Sequence, residues 1–373
     1  MDLTEATEGK TTFFVPVQDA DGQFPPGTAP IFFNRRMEIN RDATILLLSL
    51  LKPSDYVDAM GATGVRGLRV ANETGVPVTI NDKDPEAIPL IQENVARLGL
   101  PVNVTCRDAC SLLFDQSFDA VDLDPYGSPA PFTDAGIRGC RRFLLVTATD
   151  TAPLCGAHLH AGIRRYFARP ANTMYHAEVG MRVLLAFVVR ETVKYDRGVE
   201  PLFCFAREHF VRLHLRLTRG PKAADKTLER LGFVLQCPSC AYREEHPGMF
   251  PPSGTCPHCN KPLSPIGPLF LGKTASDEIL AQMQELLPSL ELGTKKELAK
   301  ILETCREELP TSTFYDYHML AQKLSTSPPR IEDVLERLRA VGYAASRTHL
   351  SGTGIKTDAP LTVLLDCIGK PGK

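Results

Sequence analysis

Acidic side chains stand at the ends of three successive apolar segments of the chain. Asp58 ends the first segment, Asp82 and Asp84 follow the second, and Asp108 follows the third. A carboxylate can accept hydrogen bonds from both hydroxyls of a ribose or from the amino group of adenine. The spacing therefore predicts a nucleoside-binding site, with a carboxylate after the second segment at the ribose and Asp108 at the adenine.

Three glycines follow in the segment GATGVRG, at Gly61, Gly64 and Gly67. At the turn from a strand into a helix, glycine lets the backbone approach a ligand closely. The glycine spacing alone fits a tight structural turn as well as a nucleotide site. A nicotinamide enzyme would use such a turn to hold a pyrophosphate at a helix N-terminus, so the cofactor class depends on residues further along the chain.

The fourth apolar segment ends in a carboxylate, a rigid turn residue and an aromatic ring, which are Asp124, Pro125 and Tyr126. The trio resembles the Asp/Asn-Pro-Pro-aromatic motif of amino-group methyltransferases, and this resemblance implies S-adenosylmethionine rather than a nicotinamide. An exocyclic amine of a base is a poor nucleophile because its lone pair is delocalised, so it must be held by hydrogen bonds. Asp124 and the Pro125 carbonyl can hold it, and Tyr126 offers a stacking face to a flipped base. Asp-Pro-Tyr-Gly is also an ordinary turn sequence, but the upstream carboxylates favour the catalytic interpretation.

Four of the eleven cysteines form two close pairs, Cys237 with Cys240 and, after fifteen intervening residues, Cys256 with Cys259. Four thiolates at this spacing can close tetrahedrally around a zinc ion. Redox dithiols or disulfides are the alternative, but the doubled CxxC favours structural Zn²⁺. Four protein ligands leave no open position for catalysis, and His258 is expected to be solvated rather than to bind the metal.

Basic residues cluster in two stretches, and phosphate contacts are a hypothesis for both. The first set comprises Arg138, Arg141, Arg142, Arg164, Arg165 and Arg169. The second set alternates with apolar residues in a strand-like pattern and comprises Arg207, Arg212, Arg216, Arg219 and Lys222. For any single arginine, a solvated face of a sheet is an equally good explanation.

The composition is that of an ordinary globular protein of two or three domains. The chain has 373 residues, of which 43% are hydrophobic and 23% are charged, and its formal net charge is −2. These values exclude a disulfide-stapled miniprotein, a collagen, a coiled coil and wholesale disorder. The N-terminal segment lacks a signal-peptide pattern, and the longest apolar stretches fall far short of a membrane span. We therefore expect a cytoplasmic protein without membrane attachment, in which the scattered cysteines stay reduced.

Strand and helix patterns alternate between about 55 and 150, which predicts a mostly parallel, doubly wound α/β sheet. The strand candidates are 56–60, 77–82, 102–106, 118–124 and 142–150, with a helix expected over 85–99. Two longer apolar runs between 177 and 219 are expected to complete the same sheet. The first domain should therefore end near residue 218.

The rest of the chain is expected to form two further domains. Residues 219–272 contain the paired cysteines with much Pro and Gly, so a metal would stand in for a hydrophobic core in this module. From 273 onward helices dominate, with a capping-box pattern at Thr294 and Glu297. The helix over 329–342 precedes a strand-like segment and a glycine turn, which is the order of a recognition helix and wing. We therefore expect a mainly helical, winged-helix-like C-terminal domain.

Over nearly its whole length, the chain resembles the archaeal-type tRNA (guanine N2,N2) dimethyltransferases, which act on the guanine at tRNA position 26. The segments that carry the resemblance are PIFFNRRMEINRD (30–42), DAMGATGVRG (58–67), IND (80–82), CRDA (106–109), DLDPYGSP (122–129), the doubled CxxC and SRTHLSGTGIKTDAP (346–360). The resemblance implies methylation of the exocyclic N2 amine, once or twice. It also implies a Rossmann-like class I methyltransferase domain over 1–218, a zinc-ribbon-like module over 219–272 and a tRNA-binding domain over 273–373.

The family also implies which residues hold S-adenosylmethionine. Matching its motifs onto this chain places the following residues at the cofactor: Arg36, Arg66, Asp82, Asp108 and Ala109. The glycine turn adds Asp58 and Gly61. The arginines would reach the methionine carboxylate, and Asp82 the ribose. This chain has Arg35 where the family usually has proline, so Arg35 is an alternative to Arg36.

The guanine is expected to lie between two aromatic rings. By the same resemblance, Asp124 would bind the guanine amino group, while Tyr126 and either Phe32 or Phe33 would sandwich the ring. The family usually has phenylalanine where Tyr126 stands, and the extra hydroxyl should leave stacking intact. Transfer would then be direct, without a covalent enzyme intermediate.

Two other functions compete with this interpretation. The site chemistry does not specify the base, so an amino methyltransferase acting on adenine or another base is the nearest enzyme alternative. From a different class, a non-catalytic RNA-binding protein could retain an inherited methyltransferase fold. The intact set Asp58, Asp82, Asp108 and Asp124 argues against that alternative. The expected partner is tRNA, and no obligate protein partner is implied.

Overall fold

In the computed structural model the described residues are 2–17, 31–207 and 209–369. They divide into two compact units. The first unit comprises Met1–Thr147, Arg212–Leu217 and Asp277–Leu302, and the second comprises Ala148–Val211, Thr218–Ser276 and Glu303–Lys373. These boundaries differ from those of the three functional domains, which stay a prediction. Pro30, the first residue of the motif at 30–42, lies outside the described residues.

An N-terminal hairpin precedes alternating helices and strands in the first part of the chain. In chain order the elements are β1 (Leu3–Glu8), β2 (Thr11–Pro16), α1 (Glu38–Leu51), β3 (Tyr56–Asp58), α2 (Val65–Thr74), β4 (Val78–Asp82), α3 (Ala87–Leu98), β5 (Asn103–Cys106), α4 (Ala109–Asp115), β6 (Phe118–Leu123), α5 (Ala130–Gly139) and β7 (Cys140–Ala148). A short 3-10 turn at Arg35–Met37 leads into α1. The five strand candidates and the helix expected over 85–99 are thereby confirmed.

The rest of the chain is richer in helices. Its elements are α6 (Thr151–Leu154), α7 (Leu159–Tyr166), α8 (His176–Val193), β8 (Arg197–Arg207), β9 (Phe210–Arg219), α9 (Pro221–Leu228), β10 (Leu231–Gln236), β11 (Arg243–Pro247), β12 (Ser264–Phe270), α10 (Asp277–Leu286), α11 (Lys295–Glu307), β13 (Tyr315–Asp316), α12 (Tyr317–Lys323), α13 (Ile331–Ala340), β14 (Ala345–Thr348), β15 (Ser351–Thr357) and α14 (Leu361–Gly369). No helix in the described ranges is both long and apolar enough to cross a membrane.

The central sheet has seven strands in the order β5-β4-β3-β6-β7-β9-β8. The pairs β4–β5, β3–β4, β3–β6 and β6–β7 are parallel, as the alternation of strands and helices predicts. The strand order reverses beside β3, and ligands of open α/β sheets bind at the carboxyl edge next to such a reversal. Because parallel strands end at the same edge, the sheet gathers Asp58, Asp82, Asp108 and Asp124 there.

Strand β6 is buried along its whole length, which makes its two carboxylates costly unless they are paired. Asp119 is paired with Arg142 on β7 and accepts a hydrogen bond from the N–H of Ser54. Asp122 lies further along the strand, close to the site edge. Its partners therefore bear directly on the site.

The apolar run at 177–195 does not join the sheet, so the expectation that it would do so is wrong. Most of it forms α8, and every residue from Glu178 to Val189 is buried. A helix that is buried on all sides shows no 3.6-residue hydrophobic period, so its sequence resembles that of a buried strand. The second run does form a strand, β9, in the central sheet.

The C-terminal part of the second unit matches the expected helix and wing. Helix α13 is followed by β14 and β15, which pair antiparallel in a small sheet of order β13-β15-β14. Apolar residues of α12, α13 and α14 share one hydrophobic core. In the first unit, α11 begins directly after Thr294, whose hydroxyl donates to Asp42 Oδ2 at 2.6 Å.

Candidate active site

The loop after β3 requires glycine for packing and for backbone conformation. A Cβ on Gly61 would lie 2.6 Å from Ile80 Cγ2, and one on Gly67 would lie 2.4 Å from Ile80 Cγ1. Gly64 has a φ of +78° directly before α2, a conformation that other residues rarely adopt. Helix α2 therefore packs closely on β4. These requirements account for the glycines without a ligand, so the cofactor role of Gly61 stays a prediction.

Asp58 is buried at the end of β3 and keeps one oxygen without a partner. Its Oδ2 accepts a hydrogen bond from the N–H of Gly67 at 3.1 Å, whereas its Oδ1 has no partner among the described residues. Burial raises the pKa of Asp58, and the nearby carboxylates of Asp122 and Asp124 raise it further. Arg66 lowers it, but the net result is a pKa of about 7. A buried acceptor without a donor is unfavourable, so Oδ1 is suited to a donor group on a ligand.

The other two predicted carboxylates lie at the ends of β4 and β5. Asp82 is half-buried and accepts hydrogen bonds from the N–H groups of Ala62, at 2.7 Å, and Asp84, at 2.9 Å. Asp108 is exposed and caps α4 by accepting from the N–H of Ser111 at 2.9 Å. Carboxylate oxygens have further lone pairs, so both groups can still accept from a nucleoside. Ala109, the next predicted residue, begins α4 and is buried.

Asn81 is a site residue that sequence reasoning missed. It is wholly buried, and its side-chain amide donates to the carbonyls of Ala59, at 3.0 Å, and Arg107, at 2.9 Å. Its Oδ1 accepts from the Thr105 hydroxyl at 2.8 Å. Asn81 thus holds together the ends of β3, β4 and β5. An uncharged polar residue inside an apolar segment was the available sequence signal.

Asp124 lies just beyond β6 and forms an ion pair with Arg66 on α2. Arg66 Nη2 donates to Asp124 Oδ2, while Nη1 of the same guanidinium donates to the Thr44 hydroxyl at 3.1 Å. Although burial lowers the pKa of Arg66, the neighbouring carboxylates of Asp124 and Asp122 raise it above its ordinary value. The residue expected at the cofactor carboxylate and the residue expected at the guanine amine are therefore directly paired.

A second ion pair, between Asp122 and Arg212, lies behind the first. The Arg212 guanidinium donates to Asp122 Oδ1 at 2.7 Å and to Oδ2 at 2.6 Å, and both side chains are wholly buried. The Tyr56 hydroxyl also donates to Asp122 Oδ2, at 2.9 Å. Burial raises the pKa of Asp122, but Arg212 and Arg66 outweigh it and hold the value below the ordinary one. The sequence did not indicate this pair.

The two candidate stacking phenylalanines differ sharply in exposure. Phe32 is 37% exposed, and its ring lies 5.7 Å from that of Tyr126 at an interplanar angle of 71°. Tyr126 is 83% exposed, so its ring is open to a base. Phe33 is 3% exposed, because it packs edge-on against Phe13 within the core. Of the two candidates, the structure brings only Phe32 to Tyr126.

Arg35 and Arg36 both lie in the 3-10 turn before α1 with exposed side chains. Asn34 caps this turn by accepting from the N–H of Arg36 at 2.9 Å. Neither guanidinium forms an ion pair within the described ranges. Both are therefore available to an anionic group of a ligand.

Several of the arginines considered for phosphate contacts are engaged by carboxylates. Ion pairs join Arg141 to Asp55, Arg142 to Asp119 and Arg165 to Asp150. The strand-like pattern of the second basic set is confirmed for Arg212, Arg216 and Arg219, which lie on β9, and for Arg207, which ends β8. It is wrong for Lys222, which lies on helix α9. Arg212 is wholly buried against Asp122. A phosphate contact for Arg212 is therefore wrong, since the core excludes the ligand. For the other arginines this contact stays a prediction.

The four paired cysteines converge at one place in the second unit. Their sulfur atoms all lie within 4.8 Å of one another, with Cys237 Sγ 3.3 Å from Cys259 Sγ and Cys240 Sγ 3.5 Å from Cys256 Sγ. None of these thiols forms a disulfide. Burial raises the pKa of Cys237, but the N–H groups of Cys240 and Ser239 oppose it, and the result is about 6. A set of four converging thiols, two buried and two half-buried, with one of them readily ionised, fits a tetrahedral zinc ion.

The parallel sheet, the carboxylates at its edge and the Asp-Pro-Tyr turn together define a class I methyltransferase. A solved structure of Trm1 from Pyrococcus horikoshii in complex with S-adenosyl-L-methionine is similar over 98% of this chain and 100% of that one, with a TM-score of 0.89 and 35% identity. The predicted fold class is thereby confirmed.

Residues 11–369 match the model of the N2,N2-dimethylguanosine tRNA methyltransferase family, and the chain belongs to that family. A relative from Methanoregula boonei, a tRNA (guanine(26)-N(2))-dimethyltransferase, is 79% identical over 99% of this chain and 98% of its own. One of the same name from Methanoculleus marisnigri is 60% identical over 98% of each chain. The predictions of the family and of a tRNA methyltransferase are confirmed.

Proposed function

We propose that this chain transfers methyl groups from S-adenosylmethionine to the N2 amine of guanine 26 in tRNA, once or twice. The observation that carries the proposal is the Asp124-Pro125-Tyr126 turn. It places a carboxylate and an exposed ring at the sheet edge, in a chain that shares 79% of its residues with a relative of that named activity.

The cofactor lies at the carboxyl ends of β3, β4 and β5 in this proposal. Arg36 and Arg66 bind its carboxylate, and Arg66 does so while its Nη2 still holds Asp124. Asp82 binds its ribose, and Asp108 with Ala109 binds its adenine. The Oδ1 atom of Asp58, beside the Gly61 turn, supports a ligand here because it is buried without a donor.

Charge supports the same placement. When all five groups are ionised, the carboxylates of Asp58, Asp122 and Asp124 and the guanidiniums of Arg66 and Arg212 leave one net negative charge. S-adenosylmethionine carries a sulfonium and an ammonium against one carboxylate, so it brings one net positive charge. The cofactor therefore balances a site that burial has made electrostatically costly.

The protein's part in the reaction is to position the amine. In the first transfer the Asp124 carboxylate and the Pro125 carbonyl accept the two N2–H groups, so that the nitrogen lone pair faces the sulfonium methyl. In a second transfer the monomethylated amine has one N–H, which one of these two oxygens accepts. Tyr126 and Phe32 hold the guanine ring. As the nitrogen–carbon bond forms, the sulfur–carbon bond breaks with its electron pair on sulfur, and the amine proton passes to Asp124 or water. Positioning of this kind can supply up to about 7–11 kcal/mol.

The remaining assignments concern domains and metal. The proposal keeps 1–218 as the catalytic domain, 219–272 as a module held by one structural Zn²⁺ on Cys237, Cys240, Cys256 and Cys259, and 273–373 as the tRNA-binding domain. The converging cysteines support the metal, and the helix with its hairpin supports the last domain. The enzyme acts in the cytoplasm in this proposal, with tRNA as its partner.

A product analysis tests the function directly. Purified protein is incubated with S-adenosylmethionine and unmodified tRNA transcript, and the digested RNA is analysed by mass spectrometry for methylated nucleosides. We expect methylguanosine and dimethylguanosine, and neither from a matched transcript with adenine at position 26. Methyladenosine would instead identify another base as the substrate. Cofactor binding without any methylation would point to a missing partner or a different acceptor, whereas absence of cofactor binding would favour the non-catalytic RNA-binding alternative.

Tyr126 should contribute through its ring and not through its hydroxyl. We expect Tyr126→Ala to lower kcat/KM for tRNA about 10–100-fold, because a base stacked on an aromatic side chain gains about 1–3 kcal/mol. Tyr126→Phe should stay within about twofold of the wild type. Phe114→Ala, which truncates an exposed ring on α4, is the control. Equal losses in the Ala and Phe variants would contradict stacking.

The free energy of unfolding of the ligand-free protein should depend on Asp58. Its pKa of about 7 lies above the ordinary 3.8, so the folded state binds the extra proton, and this stabilisation is lost as the pH rises through 7. Asp58→Asn removes the titration and keeps the shape. The stability of the variant relative to the wild type should therefore grow by about 2–3 kcal/mol between pH 5 and pH 8. Denaturant unfolding at both pH values measures this, and parallel pH profiles would contradict it.

A further inference from the structure

Three wholly buried polar side chains stand behind the Arg66–Asp124 pair. They are Thr44 on α1, Asp122 on β6 and Arg212 on β9, which we call the support cluster. None of them reaches the exposed edge where the substrate is placed. Buried charges are unfavourable unless they are paired, and well-packed apolar residues would often stabilise the core as well or better. Stability alone is therefore a weak reason for the cluster.

The cluster is joined through a single oxygen atom. Thr44 Oγ1 accepts hydrogen bonds from Arg212 Nη2 at 2.8 Å and from Arg66 Nη1 at 3.1 Å, and it donates to the Asn40 carbonyl at 3.0 Å. These contacts use the full hydrogen-bonding capacity of a hydroxyl. The position of the Arg66 guanidinium is thus tied to that of Arg212.

Arg212 is itself fixed in place from several directions. Its guanidinium donates hydrogen bonds to both oxygens of Asp122. It also donates to the Thr147 hydroxyl at 2.9 Å and to His214 Nε2 at 3.2 Å. A planar guanidinium held at all of its nitrogens cannot rotate without breaking several bonds.

The support cluster engages one end of the Arg66 guanidinium, so the other end faces Asp124. Arg66 Nη1 faces Thr44 and lies 3.8 Å from Asp122 Oδ2, so Nη2 is the nitrogen that meets Asp124. Because Arg212 already neutralises Asp122, the charge of Arg66 is available to Asp124. The Asp124 side chain is 21% exposed and lies in a loop, so Arg66 is the contact that orients its carboxylate.

We propose that Thr44, Asp122 and Arg212 are positioning residues for methyl transfer, which fix Arg66 and through it the carboxylate of Asp124. The inference rests on the proposed function, in which Asp124 accepts the guanine amino group. Reacting atoms must be held within a fraction of an ångström, and a displacement of about 1 Å can cost about a hundredfold in rate. The support cluster provides this precision from outside the substrate pocket.

The test uses substitutions at Thr44, because the side chain can lose its hydroxyl without losing volume. We expect Thr44→Val to lower the single-turnover rate at saturating tRNA and S-adenosylmethionine about tenfold or more, with KM for tRNA within about twofold. Thr44→Ser keeps the hydroxyl and should restore most of the rate. Thr192→Val is the matched control, since that hydroxyl is also wholly buried but donates only to the Val188 carbonyl of its own helix.

A second variant tests the other end of the cluster. Arg212→Lys keeps the charge but cannot span both Asp122 oxygens and Thr44, so the rate should again fall while dimethylguanosine remains the product. If this variant does not fold, the Thr44 variants alone test whether the support cluster has a positioning role.

The wild type in the same assay distinguishes a failure of the proposed function from a failure of the positioning role. A wild-type chain that forms no methylguanosine would overturn the proposed function itself. With an active wild type, the inference is overturned if Thr44→Val keeps its rate within about twofold, if Thr192→Val loses as much, or if the loss lies in KM for tRNA.

Discussion

Asp124→Ala is expected to lower the single-turnover rate of methylation by about 1,000-fold or more, while the affinity for S-adenosylmethionine changes little. The amine loses the acceptor that holds it, and the nitrogen lone pair is no longer directed at the methyl group. The Asp124 side chain is 21% exposed, and without it Arg66 keeps its hydrogen bond to Thr44 and lies 3.8 Å from Asp122 Oδ2, so we expect the variant to fold. Rapid-quench assays give the rate, and calorimetry gives the affinity for the cofactor.

The control removes a more exposed ion pair elsewhere on the same unit. Asp115 pairs with Arg107 beside α4, and its side chain is 64% exposed, so Asp115→Ala should keep the wild-type rate. A turnover of Asp124→Ala within about threefold, on the order of 0.7 kcal/mol, would show that Asp124 does not position the amine. Loss of cofactor binding in the same variant would place Asp124 at the cofactor instead.

The gathering of the carboxylates could be predicted because it depends on local sequence and one topological rule. Each of Asp58, Asp82, Asp108 and Asp124 ends or follows a strand, and parallel strands end at one edge. No knowledge of distant contacts was needed. The same holds for the cysteines, whose spacing alone brings their sulfurs together once the metal-binding turns form.

The partners of those carboxylates could not be predicted, because they come from distant parts of the sequence. Arg212 lies 90 positions after Asp122, and only the placement of β9 next to β7 brings the two together. In the sequence, Arg212 is one basic residue in an alternating pattern, which is equally typical of a solvated sheet face. The strand pattern was correct, but it does not reveal which face is buried.

The neighbouring phenylalanines show a related limit. Phe32 and Phe33 are equivalent in the sequence, yet one is open beside Tyr126 and the other packs against Phe13. Phe13 belongs to the N-terminal hairpin, whose position relative to residue 33 no local pattern specifies. Burial of a single side chain is set by tertiary packing, so a motif can indicate a pair of candidates but not the member that faces the ligand.

Removal of a cysteine ligand is expected to have the largest effect on the second unit. Cys237→Ser and Cys256→Ser should each lower bound zinc from about one ion per chain to near zero, because a hydroxyl replaces a thiolate that Zn²⁺ strongly prefers. Among the described residues, Leu235 and Leu263 join Cys237 and Cys256 in the small buried cluster at this site, and the partly buried Tyr242 packs against it. Without the metal this cluster is too small to order the loops that carry the cysteines, so their local unfolding should begin at lower temperature.

Elemental analysis of the purified protein measures the metal, and hydrogen exchange over 237–263 measures the local stability. Cys110→Ser is the matched control, since this thiol lies on α4 in the first unit, away from the four converging cysteines, and donates to the Pro131 carbonyl at 3.7 Å. It should keep the full zinc content. Equal zinc in the Cys237 variant and the wild type would remove the metal assignment. If neither the wild type nor the variant binds zinc, the redox alternative remains. Disulfides that form between the four cysteines under oxidising conditions and are lost under reducing conditions would then support it.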